Sequence, residues 1–423
     1  MNRLKPIISF LFDYKVLILI FVIVIFFTRY FFSVFIIYTL PARIWQEATP
    51  TGLFSVPRVF QNLSPSYHIY DLWAKWDTNY YLRIAVDGYD RVKFNTNSYH
   101  NWAFYPLYPL LVFIFTWVWG DLSYKNALVS GVIVSNIAIY INYLIVYKVL
   151  SNLKVPKDKI YGVIIFLLAF PAAYFTSIAY TESLFLLLMI SMFYFLFKER
   201  YLISSLCIGL AMITKPIGYT LVFPFAYFYL SGLFYQNNFK FSSISKIVLY
   251  SFVSLLPIAL FFYHLKSVSG NFFASFDIQK VWDNGVKYPF AIVIDYLNAY
   301  SNNLLIQTIF IVVSFISLII FTLFYFLKLF HPSFKKLPAN VRKQLVTMTI
   351  FLCVYTFSIS SIGSMASIIR YSLPGFQVIA IMSVIWSDFK ISKLLSSLGI
   401  FILVAIQCVL FTFFLLLIGI SSF

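Results

Sequence analysis

The feature that most limits what this chain can become is the return of apolar runs about as long as a bilayer is thick. They fall at about 16–40, 103–120, 126–149, 159–178, 182–197, 201–214, 217–235, 246–265, 303–328, 344–362, 371–387 and 395–420. A helix needs about 20 apolar residues to cross hydrocarbon. In lipid each backbone N–H and C=O must find its partner within the protein, which makes such runs helices. Only 11% of the 423 residues are charged, where a soluble domain carries about 25%. The expected class is an all-α polytopic membrane protein, folded as one multi-spanning domain over residues 1–423.

The net charge is +17. On a soluble protein that would point to nucleic acid. Here the basic residues sit in short connections, at 148–159, 198–200, 236–246, 328–343 and 388–393. That is the pattern of cytoplasmic loops facing anionic lipid, so nucleic acid is not an expected partner and the bilayer is. Arg3, Lys5 and Lys15 precede the first run, which is too long for a signal-peptide core and is read as a retained span. Cys207, Cys353 and Cys408 lie inside apolar runs without metal-ligand spacing, which argues against a disulfide framework or a zinc site.

The five basic connections and the N-terminus share one side only if 103–120 does not cross by itself. That run opens AFYPLYPL and ends in Trp117, Trp119 and Gly120. Prolines suit a helix entrance and tryptophans an interface, so it reads as an interfacial helix. About 11 transmembrane helices result, with 12 as the alternative. Residues 41–102 then form a first extracytoplasmic loop and 266–302 a second. The short turns 179–181, 215–216 and 363–370 face the same side.

The polar block 68–110 concentrates the chemistry of the early chain, with Asp71, Asp77, Asp87 and Asp90 among aromatics. Asp77 can cap a helix starting near Asn79. Walled by Trp76, Tyr80 and Tyr81 just above a membrane, it can equally act as a general base. Asp87 and Asp90 flank Gly88-Tyr89 and read as a turn. Oxygen ligands of this kind suit a divalent ion, but nothing in the spacing requires one, and no metal ligand is assigned. Glu182, in AYTESLF, sits where a helix dipole favours an acid; it can also hold a sugar hydroxyl or pair with a cation. Lys215, in the helix-breaking Thr-Lys-Pro, and Arg370 lie at outer span ends. They are snorkelling side chains or ligands for an anionic leaving group such as a lipid phosphate.

Several blocks together resemble the GPI mannosyltransferase 2 (PIG-V) family, membrane glycosyltransferases of the GT-C fold. They are WDTNYYLRIAVDGYD (76–90), NWAFYPLYPLL (101–111), PAAYFTSIAYTESLF (171–185), GLAMITKPIG (209–218), FDIQKVWDNGVKYPF (276–290) and RYSLPGF (370–376). The resemblance implies a catalytic aspartate in the first outer loop, here Asp77. It implies a polyprenyl-phosphate-linked mannose donor such as dolichyl phosphate mannose, inverting transfer to a glycolipid or glycan acceptor, and interfacial helices in that loop. Lys215 stands where many relatives carry arginine, keeping charge without bidentate contact. On this reading Trp76, Trp102 and Tyr105 wall the sugar, and Gln279 and Trp282 contact donor or acceptor. No cofactor is expected. An accessory subunit is compatible with the pattern. The membrane would be the cell membrane in a prokaryote and the endoplasmic reticulum in a eukaryote. Rival readings are a GT-C enzyme with another lipid-linked sugar or a protein acceptor, a non-catalytic subunit, and a lipid or solute transporter. A transporter places broken helices in paired repeats, and no repeat is evident.

Overall fold

The computed structural model describes residues 13–39, 77–235, 241–282, 288, 305–361 and 368–386. Among these residues the regular structure is entirely helical. The longer helices are α1 (Tyr14–Thr39), α2 (Asp77–Asp87), α3 (Leu107–Trp119), α4 (Tyr124–Asn152), α5 (Lys157–Ala169) and α6 (Glu182–Phe197). They continue as α7 (Tyr201–Met212), α8 (Val222–Tyr235), α9 (Phe241–Ser269), α10 (Leu305–Lys328), α11 (Ala339–Ser360) and α12 (Leu373–Ile385). Among the described residues five stretches are long and apolar enough to cross a membrane: Tyr14–Phe31, Tyr124–Asn152, Pro216–Tyr235, Ser243–Ser269 and Ala339–Ser360. The expected span 395–420 lies outside the described residues.

Much of the helical surface is greasy. On α9, Val248, Phe252, Leu255, Leu260 and Tyr263 are all exposed. In water a patch of that size would drive association. It is compatible with an integral membrane protein, where lipid takes the place of water.

The chain divides into two compact units. The first contains Met1–Val86, Pro109–Leu184 and Ser387–Phe423; the second contains Asp87–Tyr108 and Phe185–Trp386. In the first, α1 packs on α4 and α5, and α4 packs on α5. Tyr14 stacks on Tyr147 with ring centroids 4.2 Å apart. Ser123 caps α4 by accepting from the Asn126 N–H. The apolar run expected to continue to 178 stops as α-helix at Ala169. The residue before a proline is pushed out of the helical region, and Phe170 takes an extended ψ of 135° before Pro171. A 3₁₀ stretch, Pro171–Thr176, follows.

In the second unit α7 packs on α9, α8 on α11, and α11 on both α10 and α12. The hydroxyls of Thr322 and Thr356 meet at 3.0 Å between α10 and α11. Within a bundle such a pair satisfies two groups that lipid cannot.

The run 103–120 forms α3, with 13 residues. At 1.5 Å per residue it is about 20 Å long, short of the roughly 30 Å of a hydrocarbon core. Phe113, Trp117, Val118 and Trp119 on it are exposed. Thr116 Oγ1 and Trp119 Nε1 both donate to Ser130 Oγ on α4, each at 2.9 Å.

Candidate functional site

The acids come first. Helix α2 begins at Asp77, two residues earlier than expected, and its side chain is half-buried. The next residue pins this end. Thr78 Oγ1 donates to the Ala179 carbonyl at 3.1 Å. One turn on, the Tyr81 hydroxyl approaches Thr181 Oγ1 at 3.5 Å, and its ring meets Tyr180 edge-on. Asp77 therefore heads a helix docked on the segment that leads into Glu182.

Glu182 opens α6 and is 2% exposed. The residues before it are not α-helical, yet they are buried. Buried backbone outside a helix must have its carbonyls and amides satisfied one by one. Thr176 Oγ1 donates to the Ala173 carbonyl and Ser183 Oγ to the Thr176 carbonyl, each at 2.6 Å. From α4, Asn136 Nδ2 donates to the Ser177 carbonyl at 3.0 Å and Ser135 Oγ to the Tyr180 carbonyl at 3.1 Å. From α1, the Arg29 guanidinium donates to Ser177 Oγ, and to the Leu168 carbonyl at 2.8 Å.

The cations belong to the second unit. Helix α7 ends at Met212, and the Lys215 N–H still donates to the Ala211 carbonyl at 3.0 Å. Pro216 then opens a 3₁₀ turn, Pro216–Leu221, with Gly218 as its third residue. A Cβ on Gly218 would sit 2.5 Å from the Ala211 carbonyl group, so this close backbone approach needs glycine. The turn leaves Lys215 buried, with Nζ 5.0 Å from the centre of the Tyr371 ring. The Arg370 guanidinium carbon lies 5.3 Å from the same ring centre. Tyr371 is anchored in turn, because the Tyr355 hydroxyl donates to its carbonyl at 2.8 Å. The two expected cations are thus gathered on one aromatic ring.

Trp102 and Tyr105 were expected in an apolar wall for a sugar. Trp102 is fully buried and Tyr105 is 3% exposed. Trp102 Nε1 donates to the Asp90 carbonyl at 2.9 Å, and its ring stacks between those of Phe94 and His100. Tyr105 packs on Phe261 of α9. Burial pushes the hydroxyl pKa values of Tyr89 and Tyr105 well above the ordinary phenol range, and the nearness of Tyr105 raises that of Tyr89 further. Asp90 accepts from His100 at 3.1 Å and from the Asn101 N–H at 3.2 Å. Gly88, with φ +80°, permits the turn between the two aspartates. These residues form a packed loop.

Gln279 is half-buried in the turn Ile278–Trp282, which lies beside Asn101–Ala103. Asp71, Trp76 and the side chain of Trp282 lie outside the described residues. In sum, the structure brings Asp77 close to the Glu182 segment in the first unit. It brings Lys215 and Arg370 to one ring in the second.

Arg29 and Tyr371 escaped the sequence reading. A signal existed for Arg29, since an ionisable residue amid an apolar span is costly and carries a task by default. Tyr371 gave none beyond its place beside Arg370. No protein-family model matches the chain, and no curated protein gives a significant match.

Proposed function

We propose that the chain is a GT-C-type membrane glycosyltransferase resembling the PIG-V family. It moves mannose from a polyprenyl-phosphate donor to a hydroxyl of a glycolipid or glycan on the extracytoplasmic side, with inversion. Asp77 takes the proton of the acceptor hydroxyl. The acceptor oxygen forms its bond to the anomeric carbon as the carbon–oxygen bond to phosphate breaks. The electron pair leaves with the polyprenyl phosphate, whose growing charge is met by Lys215 and Arg370. Glu182 holds an acceptor or sugar hydroxyl. Helix α3 lies along the membrane surface.

One observation carries this reading: Lys215 and Arg370, far apart in sequence, lie 5.0 and 5.3 Å from the centre of the Tyr371 ring. Two cations beside one ring suit the dianionic phosphate of a departing lipid. The tyrosine ring adds cation–π attraction that helps to hold both in place.

The test is transfer from radiolabelled mannosyl-phosphoryl polyprenol to a lipid extract, with the glucosyl donor as comparison. Incorporation from the mannose donor is expected, and Asp77→Asn should lower the rate by about 10²- to 10⁴-fold. Equal rates for Asp77→Asn and the parent, at equal expression, would overturn the role of Asp77. Transfer of glucose alone would overturn the choice of sugar.

A further inference from the structure

We propose that Arg29 is a positioning residue, which fixes the buried break between α5 and α6 and thereby holds Glu182 where it meets its ligand. This rests on the reading of Glu182 as a hydroxyl-binding acid.

Arginine does not shed its charge, and Arg29 is 7% exposed within the apolar stretch Tyr14–Phe31. A charge in such a place is expensive. It is retained only where its donors satisfy groups that would otherwise be orphaned. The Leu168 carbonyl accepts from one of those donors. It lies in the last turn of α5, where carbonyls lose their intrahelical donors. Pro171, three residues on, has no N–H to offer it a 3₁₀ bond. The Arg29 guanidinium supplies that bond at 2.8 Å and holds Ser177 Oγ as well. One planar group therefore spans both ends of the 3₁₀ stretch Pro171–Thr176.

The grip passes on to Glu182. Ser177 is held at its side chain by Arg29 and at its carbonyl by Asn136. Between Ser177 and Glu182 the carbonyls of Ala179 and Tyr180 are bonded by Thr78 and Ser135. If Ser177 shifts, every one of those short bonds must be remade, and Glu182 moves with the segment.

Amide hydrogen exchange on the full-length protein in detergent reads the positioning directly, without any assay of transfer. Arg29→Met and Ser177→Ala should each speed exchange over residues 170–182 by about 10- to 100-fold, the loss of a charge-assisted hydrogen bond. Exchange in α11 should stay within about threefold. Arg29→Lys, which can reach one acceptor, should fall between. If Arg29→Met does not fold, Ser177→Ala and Arg29→Lys still decide the outcome. Unchanged protection over 170–182 would overturn the proposal.

Transfer kinetics then separate positioning from bulk stability. Arg29→Met should lower kcat at an unchanged donor KM, and should cost nothing further in a Glu182→Gln background. An additive loss there would mean Arg29 acts elsewhere. A parent protein that transfers no sugar defeats the glycosyltransferase reading. The exchange result stands apart from that outcome.

Discussion

The loop Asp87–Tyr105 and the segment Pro171–Glu182 make an instructive pair. Beyond Asp87, which ends α2, and before Glu182, which opens α6, neither is α-helical; both are rich in aromatic rings, and both are largely tied down by side chains bonded to backbone. They differ in where those side chains come from. In the loop most partners are local: Asn101 bonds Gly88 and Asp90, Trp102 bonds Asp90, and Tyr89 bonds Phe104. In the segment the main grips come from afar, from Arg29, Thr78, Ser135 and Asn136. A locally bonded loop closes with little loss of chain entropy and can form early. A segment held from three distant helices takes shape only when those helices are in place.

The sharpest way to break this contrast is at Trp102. If the loop is a packed module, removing its central ring leaves a large cavity. Trp102→Ala should destabilise the protein by about 3–5 kcal/mol, seen as a large drop in the thermal midpoint in detergent. Reduced transfer at an unchanged midpoint would restore Trp102 as a sugar-facing residue.

Gly218 tests the cation site by a different route. The Ala211 backbone leaves no space for a Cβ there, and backbone cannot swing aside as a side chain does. Gly218→Ala should cost about 1–3 kcal/mol and should weaken transfer by displacing Lys215. A variant as stable and as active as the parent would show that the 3₁₀ turn does not fix the lysine.

How much of this was legible in the sequence follows the same division between local and distant. Helix starts at Glu182 and Tyr201 coincide with the edges of apolar runs, since polar residues at a helix boundary are a local signal. The break at Lys215-Pro216 was legible because proline acts on its own neighbours. The run 159–178 was misread, although Pro171 stood in it. A buried break looks apolar, and only the donors from other helices make it tolerable. Arg29 was overlooked for a like reason: its partner Ser177 is 148 residues away. Lys215 and Arg370 were paired by chemistry alone, and Tyr371 beneath them was not foreseen. The burial of Trp102 and Tyr105 was not legible, because an aromatic cluster reads the same whether it faces a ligand or a core.

The smallest expected effect bears most directly on the contrast. Asn101 makes four described bonds to the loop around it: its Nδ2 donates to the Gly88 carbonyl, its Oδ1 accepts from the Asp90 N–H, its own N–H donates to Asp90 Oδ2, and its carbonyl accepts from the Phe104 N–H. Ser135 makes one described bond to the segment, through Oγ to the Tyr180 carbonyl. Asn101→Ala removes the described partners of the Gly88 carbonyl and the Asp90 N–H together, so about 1–3 kcal/mol should be lost. Ser135→Ala removes one described bond in a segment with other supports, and about 1 kcal/mol or less should be lost. Denaturation midpoints of the two variants, compared under one condition, measure the difference. If Ser135→Ala proves the costlier, the segment depends on its single distant bonds more than the loop depends on its local ones, and the contrast between the two fails.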